Sequence, residues 1–355
     1  MGMFSLPVRS RSSKVSVVKV KRSGIAVAVG RAIDLLGGYS ASDKSHILIK
    51  PNLCDLVSSQ VGATTDPAVV AGLIDYLRRD ASPRISIIES NHWAASAEKE
   101  FESLGYRELA EEKEVETVNL SKLARRRVRM PFSSFYDEIQ IPEIFFEADG
   151  FVSVAKLKTH HFEGISGILK NQFGCLPQKY KATYHPFLPD IVAALNLIIQ
   201  PDLSLVDGVV AMEGLGPTGG DPKRLGIIMA GLDPVAVDSI IALIAGFSPT
   251  KIPHLLRSWH AGVGEFAAES EIVGDGWKNL RGAMRFIGPV PFQLSRLGLN
   301  TQKMQRVLSK RVDRVGEYLL LSGSALSSGS LGIRGILAFG CGRAVRELKR
   351  STRNL

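Results

Sequence analysis

The sequence has little sulfur, no long spanning run in its apolar tail, and almost no acid at either end. Its three cysteines, Cys54, Cys175 and Cys341, are odd in number and far apart in a chain of 355 residues. None forms a CxxC pair or stands at zinc spacing with a histidine, so neither a disulfide framework nor a structural zinc site is indicated. A reducing, cytoplasmic compartment fits that usage. The apolar, serine- and glycine-rich stretch 306–342 has a longest uncharged run of sixteen residues, Tyr318–Ile333, whereas a spanning helix takes about 20. An interfacial or partner-binding segment suits it better. The opening MGMFSLPVRSRSSKV has too short an apolar run for a signal peptide, and Leu6 stands where a myristoylation signal needs Ser or Thr. Residues 1–33 hold seven Lys/Arg and no acid, and residues 280–355 hold fourteen against three acids. With a net charge of +9, the body between them carries −9. Basic ends on an acidic body suit a membrane surface or an acidic partner, with nucleic acid the least expected, or simply solvated faces.

What is present is an alternation of strands and helices, in a length that suits one large α/β domain or two smaller ones. Residues 14–21 alternate as a half-buried strand, and Gly24–Leu36 reads as a helix stopped by Gly37-Gly38. Ile47–Ile49 make a buried strand that runs into Lys50-Pro51-Asn52, where proline ends it and bars a helix from starting. Thr65 or Asp66 caps a helix over Ala68–Arg79, with Pro67 in its first turn. Arg84–Ile88 and Ser96–Leu104 repeat the unit. Residues 114–142 break the rhythm and read as a connection or an edge hairpin. Leu188–Ile199 is then a helix, Leu203–Val206 and Leu225–Ala230 are strands, and Asp233-Pro234 caps the helix Val235–Ala245. The pattern predicts a doubly wound, mostly parallel sheet with crossover helices over residues 14–285. A basic N-terminal tail, 1–13, precedes it, and a basic apolar C-terminal extension, 286–355, follows.

The chain is organised around Gly150–Pro177, where the apolar strand Phe151–Ala155 runs into cations, imidazoles and glycines. Ligands of open parallel sheets gather at the carboxyl ends of strands, and unusual residues recur there. The candidate ligand set is Lys50, Asn52, Thr65, Glu89, Lys156, Lys158, Asn171, His185, Asp207 and Glu213. His160 is the candidate general base, because the surrounding lysines disfavour its charged form, and Lys170 is the second candidate catalytic residue. A short helix over Ile165–Asn171, opening at Gly164, would offer backbone N–H groups to a phosphate or carboxylate, unless the glycines serve only close packing. The loop 212–222, rich in Gly and Pro, implies backbone in close approach to something. Asp207, Glu213, Asp233 and Asp238 supply the oxygen ligands that a divalent metal takes, although Asp233 is also explained as a helix cap.

Five ordered motifs are distinctive: IKPNL (49–53), ATTDP (63–67), KLKTHHFEGISGILKNQFG (156–174), VDGVVAMEGLGPTGGDP (206–222) and GLDPVAVDS (231–239). Together they resemble the family called domain of unknown function 362, across about residues 14–275. That resemblance implies a soluble α/β fold. Some members carry a ferredoxin-like cysteine cluster and are associated with iron–sulfur or redox chemistry. This chain has no such cluster, so an electron-transfer role would rest on a redox protein partner. Residues His160–Pro177 alone also look like a loop of the nickel-pincer lactate racemase family. By that likeness His160 or His161 would be the proton-transfer base and Lys170 the cofactor lysine. The expectation is an enzyme, racemase-like or redox-associated, that binds a carboxylate or phosphate at the strand ends and moves a proton by histidine. The alternative is a non-catalytic cofactor-handling or redox-associated assembly protein. Either would be cytoplasmic, or peripheral at a membrane through the C-terminal extension.

Overall fold

A computed structural model describes residues 12–286, so the first eleven residues, nearly all of the expected C-terminal extension, and Cys341 lie outside the described residues. Residues 12–181 and 187–286 fall in one compact unit. A second unit is described only through residues 182–186, part of the 3₁₀ turn Ala182–Phe187 that carries His185.

The chain opens with β1 (Val15–Lys19), α1 (Ile25–Asp34), β2 (His46–Pro51), α2 (Pro67–Leu77) and β3 (Arg84–Glu89). The helices α3 (Ala97–Ser103) and α4 (Tyr106–Glu112) follow, then β4 (Glu116–Asn119), the hairpin strands β5 (Arg125–Arg129) and β6 (Glu138–Pro142), and the short α5 (Ile144–Glu147). After these come β7 (Gly150–His160), β8 (Gly164–Ser166), α6 (Ile168–Asn171), α7 (Leu188–Ile198), β9 (Leu203–Glu213) and β10 (Asp221–Gly231). The described chain closes with α8 (Pro234–Ile244), α9 (Pro253–His260) and β11 (Ile272–Gly274). The main sheet runs β11-β1-β10-β9-β7-β2-β3-β4, with β8 paired to β7. It is largely parallel, and the antiparallel pairs are β1–β10, β10–β9 and β7–β8. Strands β5 and β6 form a separate two-stranded sheet. One face packs on the apolar stripes of α1 to α4, through Val29, Ile33, Leu73, Ile74, Phe101 and Leu109. The other packs on α6 to α9, through Ile168, Val192, Ile240 and Leu255. This is the mixed, doubly covered α/β architecture that the alternation predicts.

Capping explains the helix starts. Asp66 accepts the Ala68 N–H at 3.0 Å ahead of Pro67, and Asp233 accepts Val235 N–H at 2.8 Å ahead of Pro234. Ser96 caps α3 in the same way, but Gly105 does not end the helical region there. It adopts φ 77° and turns the chain into α4, which the sequence pattern missed. Pro51 falls inside β2, opposite Val154, because proline at a strand's end loses no ladder bond that the sheet needs.

The largest departure is β7. It continues five residues past Ala155, and all eleven of its residues are buried. Its alternation puts Val152 and Val154 in the core beneath α1 and α2, and Ala155 and Leu157 in the core beneath α6 and α8. Lys156 and Lys158 therefore follow Val154 along the first face. Polar residues in a central strand usually argue for its end. Here the two ammonium groups find acceptors, and β8 and β9 satisfy the backbone, so the strand runs on.

Candidate functional site

Strands β9, β7, β2 and β3 lie side by side, and their carboxyl ends bring the predicted residues together. Two of the four lysines are already neutralised. Lys50, only 1% exposed, donates to Glu89 Oε2 at 2.6 Å and to the Pro51 carbonyl at 2.7 Å. Lys156, equally buried, donates to Asp207 Oδ2 at 2.7 Å. That carboxylate also accepts the backbone N–H groups of Asp66 at 2.9 Å and Val209 at 3.0 Å. These pairs tie β2 to β3 and β7 to β9, and their charges are spent inside the protein.

Lys158 and Lys170 differ. The Lys158 ammonium donates to Asn52 Oδ1 at 2.8 Å, to the Ala63 carbonyl at 2.6 Å and to Cys54 Sγ at 2.9 Å, with no carboxylate among them. Asn52 is held in turn. Its Nδ2 donates to Asn171 Oδ1 at 3.1 Å, and its backbone N–H donates to Thr65 Oγ1 at 2.9 Å. Asn171 Nδ2 donates to the Lys50 carbonyl and to Ser153 Oγ, both at 3.0 Å. Lys170, on α6, makes no hydrogen bond or ion pair among the described residues; its ammonium stands 5.9 Å from the centre of the Phe173 ring. Burial pushes its pKa down to about 8, with Glu163 opposing that shift and the Lys158 charge adding to it.

The adjacent imidazoles of His160 and His161 stack, with centroids 5.1 Å apart and planes 7° from parallel. His160 Nδ1 accepts the backbone N–H groups of Phe162 and Glu163, each at 3.2 Å, which closes the β7–β8 turn. His161 is set differently. Its Nδ1 donates to the Gly216 carbonyl at 2.7 Å, and its backbone N–H reaches the same oxygen at 3.0 Å. A donor at Nδ1 leaves Nε2 as the basic nitrogen of the neutral ring. Burial lowers the His161 pKa, the Gly216 bond opposes that, and the Lys170 charge lowers it further. The glycine loop thus approaches the end of β7: a Cβ at Gly216 would come within 2.0 Å of the Thr159 carbonyl.

Glu213, at the carboxyl end of β9, is bound by the Arg285 backbone at 2.9 Å and guanidinium at 2.8 Å. His185 belongs to the second unit, where it is exposed. The expected anion site at a helix opening on Gly164 is replaced by other geometry. Gly164–Ser166 is strand β8, the helix starts at Ile168, and Asp238 fills its N-terminus. Asp238 Oδ1 accepts Ile168 N–H at 2.7 Å and Oδ2 accepts Leu169 N–H at 3.0 Å. Gly167 is required there, since a Cβ would lie 2.2 Å from Asp238 Oδ1. The four acidic residues expected to suit a divalent metal are likewise engaged elsewhere: Asp207 pairs with Lys156, Glu213 with Arg285, Asp233 caps α8 and Asp238 caps α6. Among the described residues no group of three His, Cys, Asp or Glu side chains is placed to hold a metal ion.

Three contributors escaped the sequence pattern. Cys54 contacts Lys158 as above. Glu163 Oε2 accepts from His254 Nδ1 at 2.8 Å, and both residues are buried. His254 lies in α9, over ninety residues away, so no local signal links the two.

The fold is that of a mixed α/β protein whose largely parallel sheet carries a cluster of lysine and histidine side chains. The sequence profile of the family described as Domain of unknown function (DUF362) matches residues 47–243, and the chain belongs to that family. A thylakoid-associated protein, sll1697 of Synechocystis sp. (strain PCC 6803), is 29% identical over 290 residues, covering 76% of this chain and 87% of that protein. Among solved structures, the lactate racemase apoprotein of Thermoanaerobacterium thermosaccharolyticum aligns at 16% identity with a TM-score of 0.37. That alignment covers 64% of this chain and 56% of the racemase.

Proposed function

We propose that the protein is an enzyme that binds a small carboxylate or phosphate on Lys170 and moves a proton with the His160–His161 pair. The observation that carries this is the Lys170 ammonium, half-buried and without a hydrogen-bond or ion-pair acceptor among the described residues. A cation held out of bulk water with no counter-ion costs free energy unless a ligand supplies the charge. His161 adds a basic nitrogen whose tautomer is fixed by Gly216.

Titration calorimetry with acetate and inorganic phosphate tests the anion site. Charge-assisted hydrogen bonds contribute about 1.5–3 kcal/mol each. Lys170→Ala should therefore weaken binding tenfold or more, with unchanged circular dichroism. Unaltered affinity in that variant would remove the site from this edge.

We also propose that the basic chain ends hold the protein against an anionic bilayer, a reading supported by their charges of +7 and +11 and by the thylakoid-associated relative. No helix among the described residues is long and apolar enough to cross a membrane. The full chain should sediment with phosphatidylglycerol vesicles at low salt and be released by high salt. Equal sedimentation with neutral vesicles would overturn this.

A further inference from the structure

We propose that the protein lies on an anionic bilayer through the carboxyl edge of its sheet, with the tip of the β5–β6 hairpin and the aromatic rings of the neighbouring loops entering the headgroup layer. This rests on the membrane reading above and names the face that makes the contact.

The argument begins with where apolar surface is left in water. Strands β2, β3, β4 and β7 are parallel, so the loops that follow them leave the sheet at one edge. Exposed Val61, Trp93 and Phe162 stand in the loops after β2, β3 and β7, and exposed Phe135 is at the tip of the hairpin that follows β4. Tyr180 joins them. The next residue, Lys181, donates to Ser90 Oγ at 2.8 Å and to the Asn91 carbonyl at 2.7 Å, just beyond β3. Trp93 and Tyr180 are 67% and 69% exposed. Among the described residues only Val27 and Phe146 are large apolar side chains exposed elsewhere. Such residues scattered singly over a surface are ordinary, but five gathered at one edge mark an interaction face.

The charge at this edge has the sign that an anionic surface takes, although the body as a whole carries −9. Residues 121–142 hold five Lys/Arg against two acids, Asp137 and Glu138. Arg126 turns to Glu143 at 2.8 Å, while Arg125, Arg127 and Arg129 share the opposite face of β5 and are exposed. Gln178 reaches Gln140 Oε1 at 3.5 Å, which brings this ribbon beside Lys179 and Tyr180. Lys179 Nζ stands 5.6 Å from the centre of the Tyr180 ring. Exposed rings with cations beside them are what a bilayer interface takes: the ring enters the headgroup layer and the cation meets the phosphate. Single-stranded nucleic acid also uses cations and rings, but on rings lined up along one groove with their faces free. Here they stand on separate loop tips, and Phe135 stacks one face on Phe187 at 4.3 Å.

Trp93 is a reporter that the chain already contains, since of the three tryptophans Trp277 is buried and Trp259 half-buried. The test mixes the full chain with phosphatidylglycerol vesicles whose acyl chains carry bromine, a contact quencher. Tryptophan emission should be quenched, and Trp93→Phe should lose that quenching while still sedimenting with the vesicles. Arg127→Glu/Arg129→Glu and Trp93→Ser/Phe135→Ser should each weaken vesicle partition about tenfold or more, with unchanged circular dichroism. Sedimentation without quenching, and unaffected by either double variant, would overturn this face and leave the basic chain ends as the anchor. Absence of sedimentation would overturn both readings. Without quenching, retention of single-stranded DNA or a dimer in analytical ultracentrifugation that the double variants abolish would also overturn it, giving the face to nucleic acid or to a second copy.

Discussion

Lys156→Met will lower the free energy of unfolding by about 3–5 kcal/mol, the usual cost of leaving one partner of a buried ion pair unpaired. The pair is enclosed: Lys156 is 1% exposed and Asp207 0%, with 2.7 Å between Nζ and Oδ2. Asp207 would keep the Asp66 and Val209 N–H bonds but lose its only cation among the described residues. Thermal unfolding should fall by roughly 5–15 °C for a chain of this size. The double variant Lys156→Met/Asp207→Asn should recover part of that loss, because no buried charge then remains. If Lys156→Met unfolds within a degree of the wild type, this pair is not structural and the ammonium is free for a ligand after all.

Lys170 should show the opposite sign. In the fold Lys170 titrates at about 8, below the ordinary 10.5, so its charged form is disfavoured by folding. The unfolded chain binds the extra proton between those values. The penalty is therefore fully present below pH 8 and fades as pH rises through 10.5. Lys170→Met should raise stability at pH 7 by an amount on the order of 1 kcal/mol, most of the shift being discounted because the amine is only half-buried. One lysine that stabilises and one that destabilises separate scaffold from site.

The mostly parallel sheet, its crossover helices and their caps were legible because they follow from short apolar runs and from Asp-Pro and Ser starts, which are local. The convergence of Lys50, Glu89, Lys156, Asp207 and Lys158 was also legible, since each follows the apolar run of a strand in the sequence. What each lysine does there was not. Whether an ammonium pairs internally or waits for a ligand depends on partners such as Asp207, fifty-one residues from Lys156, and Cys54, over a hundred from Lys158. The opening of α6 shows the same limit. Gly164 read as the opening of an anion-binding helix, but the helix starts at Ile168 and Asp238, seventy residues on, occupies its N-terminus. Likewise β7 is longer than its composition suggests, because its lysines are satisfied by residues that composition cannot place.

His161→Asn should slow proton transfer by about 100-fold or more, the weight that a positioned general base carries. A suitable readout is solvent deuterium uptake into the methyl group of pyruvate, followed by proton NMR. Asparagine can still donate to the Gly216 carbonyl as the Nδ1–H does, but it supplies no basic nitrogen, so anion affinity should shift less than about tenfold. His160→Asn should be milder. The Phe162 and Glu163 N–H groups that His160 Nδ1 accepts can be met by an amide oxygen, and the turn then survives. The pH profile adds an independent check. Burial holds His161 below its ordinary 6.5, so the wild-type rate should rise with pH along a limb centred under 6.5, and that limb should vanish in His161→Asn. A full loss in His160→Asn, with His161→Asn and its acid limb unchanged, would move the base to the other ring of the stack.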